Sequence, residues 1–253
     1  MEHGFLDRYS SLDTPAHRLD PRAKVVLAMA FAVAVVSTPP THLAAFVAYA
    51  GLISWACALG GLPIHYVLVR AAGVLPFSIL AALWLPFLKG GETFALFGGH
   101  VRLSVAGTWL FAGVAMKSLL GAGAAIWLVS TTPFGSLLRG LRKMGVPVIV
   151  VDLLALTYRY IFVLVGEAMR LRRAAAARGY RPRWLAQALL VGRLVGRLFV
   201  RSYERAERVY GAMVQRGFDG RLPASGPLRF RTSDAAALIV LIPVFMAVRY
   251  FLR

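Results

Sequence analysis

Between Val105 and Val129 the chain reads VAGTWLFAGVAMKSLLGAGAAIWLV, a stretch whose single charged residue is Lys117. A hydrocarbon core about 30 Å thick is crossed by roughly 20 helical residues, so this stretch can span a membrane by itself. The rest of the chain is built alike: of 253 residues 58% are hydrophobic and 16% charged, with a mean hydropathy of +0.66. That composition excludes disordered and collagen-like chains and points to an integral membrane protein. Working outward, further spans are expected from Pro21 to near Pro39-Pro40, from Thr41 to Leu59, from about Ala71 to Phe87, and from Ala235 to Leu252. The expected fold is therefore all-α, a bundle of about five transmembrane helices plus a cytoplasmic helical module. Residues 1–130 form the first four spans, 131–233 the module and 234–253 the final span.

Charge sets the orientation. Of the 29 basic residues, 19 lie between Thr131 and Ser233, whereas Val25 to Ser130 holds only Arg70, Lys89, Arg102 and Lys117. Positive residues stay on the cytoplasmic side, so the module and the N-terminus are expected inside and the C-terminus outside. The formal net charge of +18 is then a feature of a surface facing anionic lipid or an acidic partner, not of a nucleic-acid site. The first 24 residues lack an apolar core, so no cleavable signal peptide is expected. The 25 arginines against four lysines fit a GC-rich, prokaryotic source, hence the cell (inner) membrane.

Local signals place the remaining elements. Asp20 is an expected helix cap with Pro21 in the first turn. Lys89 to Leu103, with two Gly-Gly pairs, fits a small hairpin outside the membrane. Thr131-Thr132-Pro133-Phe134 can start a short amphipathic helix ending near Lys143-Met144-Gly145. Val146 to Val165 is long enough to cross, yet carries Asp152 and Arg159. Were it to cross, 15 basic residues between Gly166 and Ser233 would lie outside unless Ala186 to Val200 crossed back. A long helix under the membrane is the reading preferred here, followed by a second from about Arg183 to Arg216.

An internal echo carries the functional signal. Ala174-Ala175-Ala176-Ala177-Arg178-Gly179-Tyr180 closes one helix of the module, and Ala212-Met213-Val214-Gln215-Arg216-Gly217-Phe218 closes the next. Arg170 and Arg208 stand eight residues upstream of the respective tip arginines. A glycine past the last helical residue can turn left-handed and end the helix, and an arginine beside it complements the helix dipole. Arginine also presents five donors in a rigid fork and stays charged, which suits insertion into an acidic groove. Tyr180 and Phe218 would add apolar area to such docking tips.

With Asp7-Arg8-Tyr9, His17-Arg18-Leu19-Asp20-Pro21-Arg22-Ala23-Lys24, Thr131-Thr132-Pro133-Phe134, Val146-Pro147, Tyr158-Arg159-Tyr160, the two arginine-glycine motifs and Phe218-Asp219-Gly220, the chain resembles the transmembrane T component of energy-coupling factor (ECF) transporters. The likeness is greatest to the CbiQ/NikQ group of cobalt and nickel systems and covers nearly the whole chain. It implies a coupling module whose Ala-Arg-Gly tips dock one each into two ATP-binding-cassette (ABC) ATPase subunits. The chain itself would be no enzyme and bind no cofactor; ATP and Mg would sit on the partner ATPases. A membrane S component (CbiM/NikM-like) would bind the substrate, with a small accessory membrane subunit beside it. The first tip matches as Ala177-Arg178-Gly179. The second reads Gln215-Arg216-Gly217, departing from the pattern at its small first residue.

The residue inventory agrees with a chain lacking its own active site. It has no P-loop pattern, no paired carboxylates at helical spacing in an apolar block, and no nucleophile beside a base. Five scattered histidines (His3, His17, His42, His65, His100) build no metal-binding spacing, and one cysteine, Cys57, permits no internal disulfide. Lys117 in mid-span would cost about 2.5–3.5 kcal/mol, so it is expected to face a partner, water or an internal polar group. The rival classes are a self-sufficient carrier or channel, which should show polar groups at the midplane, and a membrane enzyme. Cobalt or nickel is the expected cargo, with a T component shared by vitamin-specific S components as the alternative.

Overall fold

The structure, a computed structural model, describes residues 12, 14–88, 93–96, 101–179, 188–222 and 230–251. They fall into two compact units, one comprising residues 1–140 with 228–253 and the other residues 141–227.

In the first unit, a single-turn helix α1 (Pro15–Arg18) precedes α2 (Pro21–Ser37). Asp20 caps α2 as expected: its carboxylate accepts the Arg22 N–H at 2.8 Å, and Pro21 occupies the first turn where no N–H is needed. Pro39-Pro40 ends the helix by removing its next donors. Helix α3 (Leu43–Leu59) closes at Gly61, whose φ of +64° a side chain would resist. The Gly61 N–H bonds Ala58 O and the Leu62 N–H bonds Cys57 O, the paired bonds of a glycine-ended helix.

The third expected span is corrected here. The helix begins at Ile64, after Pro63, rather than near Ala71, and runs as α4 (Ile64–Ala72), α5 (Leu75–Ala82) and the one-turn α6 (Leu85–Leu88). Arg70, expected to mark the membrane boundary, lies in the last turn of α4 with its guanidinium 4.3 Å from the Tyr66 ring. The axis bends by 41° between α4 and α5, where Gly73 and Pro76, which has no N–H, interrupt the hydrogen-bond ladder.

The expected hairpin is present as β1 (Thr93–Leu96) and β2 (Val101–Ser104), antiparallel with Thr93 opposite Ser104 and Leu96 opposite Val101. Ser104 then caps α7 (Val105–Thr131), and the short α8 (Phe134–Lys143) ends at Gly145 with φ +97°. The first unit closes with α11 (Thr232–Phe251). Its core lies among α2, α3, α7 and α11. There the Phe31 ring meets Tyr49 and Phe245 edge-on, with centroids 5.6 and 5.3 Å away, and the Tyr49 hydroxyl donates to Phe245 O at 3.1 Å. Close backbone approach accompanies this packing: a Cβ on Gly113 of α7 would stand 2.5 Å from Pro40 Cβ.

The second unit is built on α9 (Val148–Ala177) and α10 (Ala188–Gln215). The expected start of α10 near Arg183 lies outside the described residues. Glu167 joins the two helices, accepting from Arg170 of its own helix and Arg201 of α10, each at 2.5 Å.

Among the described residues three helices are long and apolar enough to cross a membrane: α7, α9 and α11. The α4–α5 pair passes the same test only when its two bent halves are taken together, as a broken span or a re-entrant loop, and α3 is a shorter apolar helix. Many of their large apolar side chains face outward, among them Val47, Phe77, Leu80 and Ile239, as lipid requires and water would penalise. The protein is an all-α membrane protein with a small β-hairpin.

Candidate coupling site

Helix α9 ends at Arg178, the C-cap, with φ −86° and ψ 18°, and Gly179 follows at φ +78°. The Arg178 N–H bonds Ala175 O at 3.1 Å and the Gly179 N–H bonds Ala176 O at 3.0 Å. Helix α10 ends in the same manner, with Gly217 at φ +82° donating to Val214 O and Phe218 donating to Met213 O, both at 3.0 Å. No atom lies within 4 Å of a Cβ built on either glycine. Backbone conformation, not close approach, therefore requires glycine at both positions.

Glycine-ended helices recur in this chain, since Gly61 and Gly145 also have positive φ. One feature separates the tips from those ends, whose glycines are exposed too: an arginine immediately before the glycine. Ala177, Arg178, Gly179, Gln215, Arg216 and Gly217 are not buried, and both arginines and both glycines are exposed. Each arginine stands where the helix dipole is negative, beside carbonyls that the terminating turn leaves in part unbonded. Tyr180 lies outside the described residues.

The two upstream arginines take different roles. Arg170 donates through Nε at 3.1 Å and Nη2 at 2.5 Å to one Glu167 oxygen, Oε2, while Arg201 takes the other, and so it belongs to the link between α9 and α10. Arg208 lies 3.9 Å from Glu204 on its own helix and remains largely exposed. The sequence echo thus holds for the tips but not for their flanking partners.

A further difference lies beyond the second tip. Phe218, Met213, Tyr160 and Leu164 line one apolar groove of about 490 Å³ between α9 and α10, the apolar contact that completes such a helix end. Gly220 turns the chain at φ +88°, and the Leu222 N–H reaches the Asp152 carboxylate at 3.0 Å. Arg142 stands 4.0 Å from the other Asp152 oxygen and donates to Leu222 O at 3.4 Å. Asp152, an acid in an otherwise apolar stretch, holds the strand that leaves the second tip.

One polar site in the first unit escaped sequence reasoning. Lys24 is 1% exposed and donates to Thr131 O at 2.8 Å, close enough to Asp20 and Asp234 to feel both carboxylates. Fully buried Asp234 accepts from the Asp20 N–H at 2.9 Å and the Arg231 N–H at 2.7 Å, tying the start of α2 to the start of α11. The signal was present: an acid directly before the last apolar block, in the first turn of its helix, needs donors there. Lys117, which the sequence did single out, donates from Nζ to Val36 O at 2.8 Å. Of the environments expected for this lysine, the internal polar group is the one found.

Among the described residues no three His, Cys, Asp or Glu side chains cluster as metal ligands. The chain matches the family model described as CbiQ, cobalt transport protein, over residues 13–225. It is similar to the putative fused cobalt transport protein CbiMQ of Methanocorpusculum labreanum, 35% identical over 144 residues, which are 55% of this chain and 24% of that one. It spans about a quarter of that fused relative. The cobalt transport protein CbiQ of Rhodobacter capsulatus is 30% identical over 164 residues, 60% of this chain and 66% of its own. The energy-coupling factor transporter transmembrane protein EcfT of Heliobacterium modesticaldum is 28% identical over 261 residues, covering 96% and 95%. The outward-facing apolar helices, the paired arginine-glycine ends and this match across most of the chain agree: it belongs to the CbiQ family and is a T component of an ECF-type transporter, a transport subunit rather than an enzyme.

Proposed function

We propose that this chain transmits ATP-driven movement from two ABC ATPase subunits to a membrane S component, for the uptake of cobalt or nickel. One observation carries the reading: two exposed helix ends, each with an arginine at its cap and a left-handed glycine after it, in one compact unit. A fork of five donors on a helix end enters an acidic groove without titrating, so it can bear force through the cycle. The module faces the cytoplasm, as the density of basic residues favours, and ATP and Mg reside on the ATPases. The relative named as a fusion of CbiM and CbiQ supports a second membrane component acting beside this one, with a small accessory subunit completing the complex.

Mild-detergent purification of the tagged chain from its native membrane, followed by mass spectrometry and an ATPase assay, tests this. Two ABC polypeptides, or one in two copies, with a small membrane protein are the expected partners. A clean monomer that transports solute by itself would instead establish a self-sufficient carrier.

A further inference from the structure

A groove in the first unit, about 610 Å³, is walled by α2, α3, α7 and α11 and floored by apolar side chains including Leu27, Phe31, Leu52, Leu241 and Phe245. Its polar residues gather at one end. Arg18 at the close of α1 and Arg231 just before α11 line the mouth, with Ser233 between the walls, and both arginines are exposed. Trp55 and Trp127 line the groove from the last two turns of their helices, the depth at which indoles favour the headgroup region.

Dimensions select the occupant. From Ser233 to Phe245 the groove follows twelve residues of α11, about 18 Å at 1.5 Å per residue. This is close to half of a hydrocarbon core about 30 Å thick, the depth of one leaflet. A partner helix crossing the membrane would need the full thickness. A slender apolar chain ending in an anion satisfies the length and the two guanidinium groups together.

We propose that this groove binds an anionic phospholipid, one acyl chain lying along Phe31 and Phe245 and the phosphate held between Arg18 and Arg231. The lipid comes from the leaflet at which α2 and α11 begin. Arginine forks suit phosphate oxygens. A zwitterionic headgroup brings its own cation to the same place, so the site discriminates by net charge. Bound lipid would fill the space between α3 and α11 and brace the end of the bundle where Lys24 and Asp234 are buried.

The test is native mass spectrometry of the delipidated full-length protein titrated with phosphatidylglycerol or phosphatidylcholine. Phosphatidylglycerol should be retained at least fivefold more strongly. Arg18→Gln with Arg231→Gln should reduce it to the phosphatidylcholine level, whereas Arg249→Gln, at the opposite end of α11, should change nothing. Ala236→Trp, at an exposed position in the groove wall, should displace both lipids. Equal retention of the two lipids by the unaltered protein overturns the proposal regardless of how any variant folds. So does an undiminished preference in the double variant, or a cysteine at position 236 that cross-links in native membranes to a partner subunit rather than to lipid.

Discussion

Lys117 Nζ and the carbonyl oxygen of Val36 lie 2.8 Å apart, and the pair completes the end of α2 that Pro39 and Pro40 leave short of donors. In a continuing helix the amides at positions 39 and 40 would bond Val35 O and Val36 O; proline has none. Thr38 compensates in part, its hydroxyl donating to Ala34 O at 2.8 Å and its N–H to Val35 O at 3.3 Å. The lysine supplies the bond that position 40 cannot, and its charge complements the negative end of the α2 dipole. Gly113, one turn earlier on α7, lets the helix approach Pro40 closely enough for this reach.

Lys117→Met should therefore destabilise the protein by about 1–3 kcal/mol, the range for losing a charged hydrogen bond and orphaning its acceptor. Lys117→Arg should lose less. Thermal unfolding in detergent reads both, and a stability equal to wild type in the methionine variant would make the lysine dispensable.

At the tips, Arg178→Ala and Arg216→Ala should leave membrane insertion intact and weaken both ATPase association and metal uptake. The effects should be unequal, because the second tip is followed by the Leu222–Asp152 anchor and carries Gln215 where the first has the small Ala177. Normal uptake by the double variant would refute the docking role. Indistinguishable single variants would remove the distinction between the tips.

Gly179→Ala and Gly217→Ala test the backbone separately from the charge. Each should cost about 1–2 kcal/mol, the penalty of a side chain in the left-handed region, and should fray the last helical turn. Amide hydrogen exchange at residues 175–179 and 213–218 measures this. Unchanged protection would mean that the helix ends do not depend on glycine.

Asp152→Ala removes the acceptor of the Leu222 N–H and the partner of Arg142 together. Faster exchange is expected at residues 218–222, with the middle of α9 unaffected and a larger loss of ATPase binding at the second tip than at the first. Asp152→Asn, which keeps an acceptor oxygen, should be intermediate.

In the first unit, Lys24→Met leaves Asp234 buried with its cation gone, and Asp234→Asn does the converse. Removing one member of a buried ion group typically costs about 3–5 kcal/mol. Each single variant should accumulate poorly in membranes, and the double variant should recover part of the loss. Additive losses, read as folded protein per cell, would show that the two charges do not interact.

Much of this protein is written locally. A run of apolar residues longer than a bilayer is thick can only be a helix in lipid, because every backbone polar group must be satisfied within the segment. Val105 to Val129 declares itself for that reason. The cap at Asp20, the hairpin of β1 and β2 and the glycine ends at Gly179 and Gly217 depend on residues a few positions apart, so they too are legible without the fold. The start of the third apolar helix was not, since Arg70 reads as the end of a loop although α4 already runs from Ile64 through it. What only the tertiary structure decided are the pairings across the chain: Lys117 with Val36, Asp20 with Asp234, Asp152 with Leu222. A charge in an apolar segment announces that a partner must exist, because leaving it bare is too costly. Which partner it finds depends on which helices pack side by side, and no local pattern encodes that.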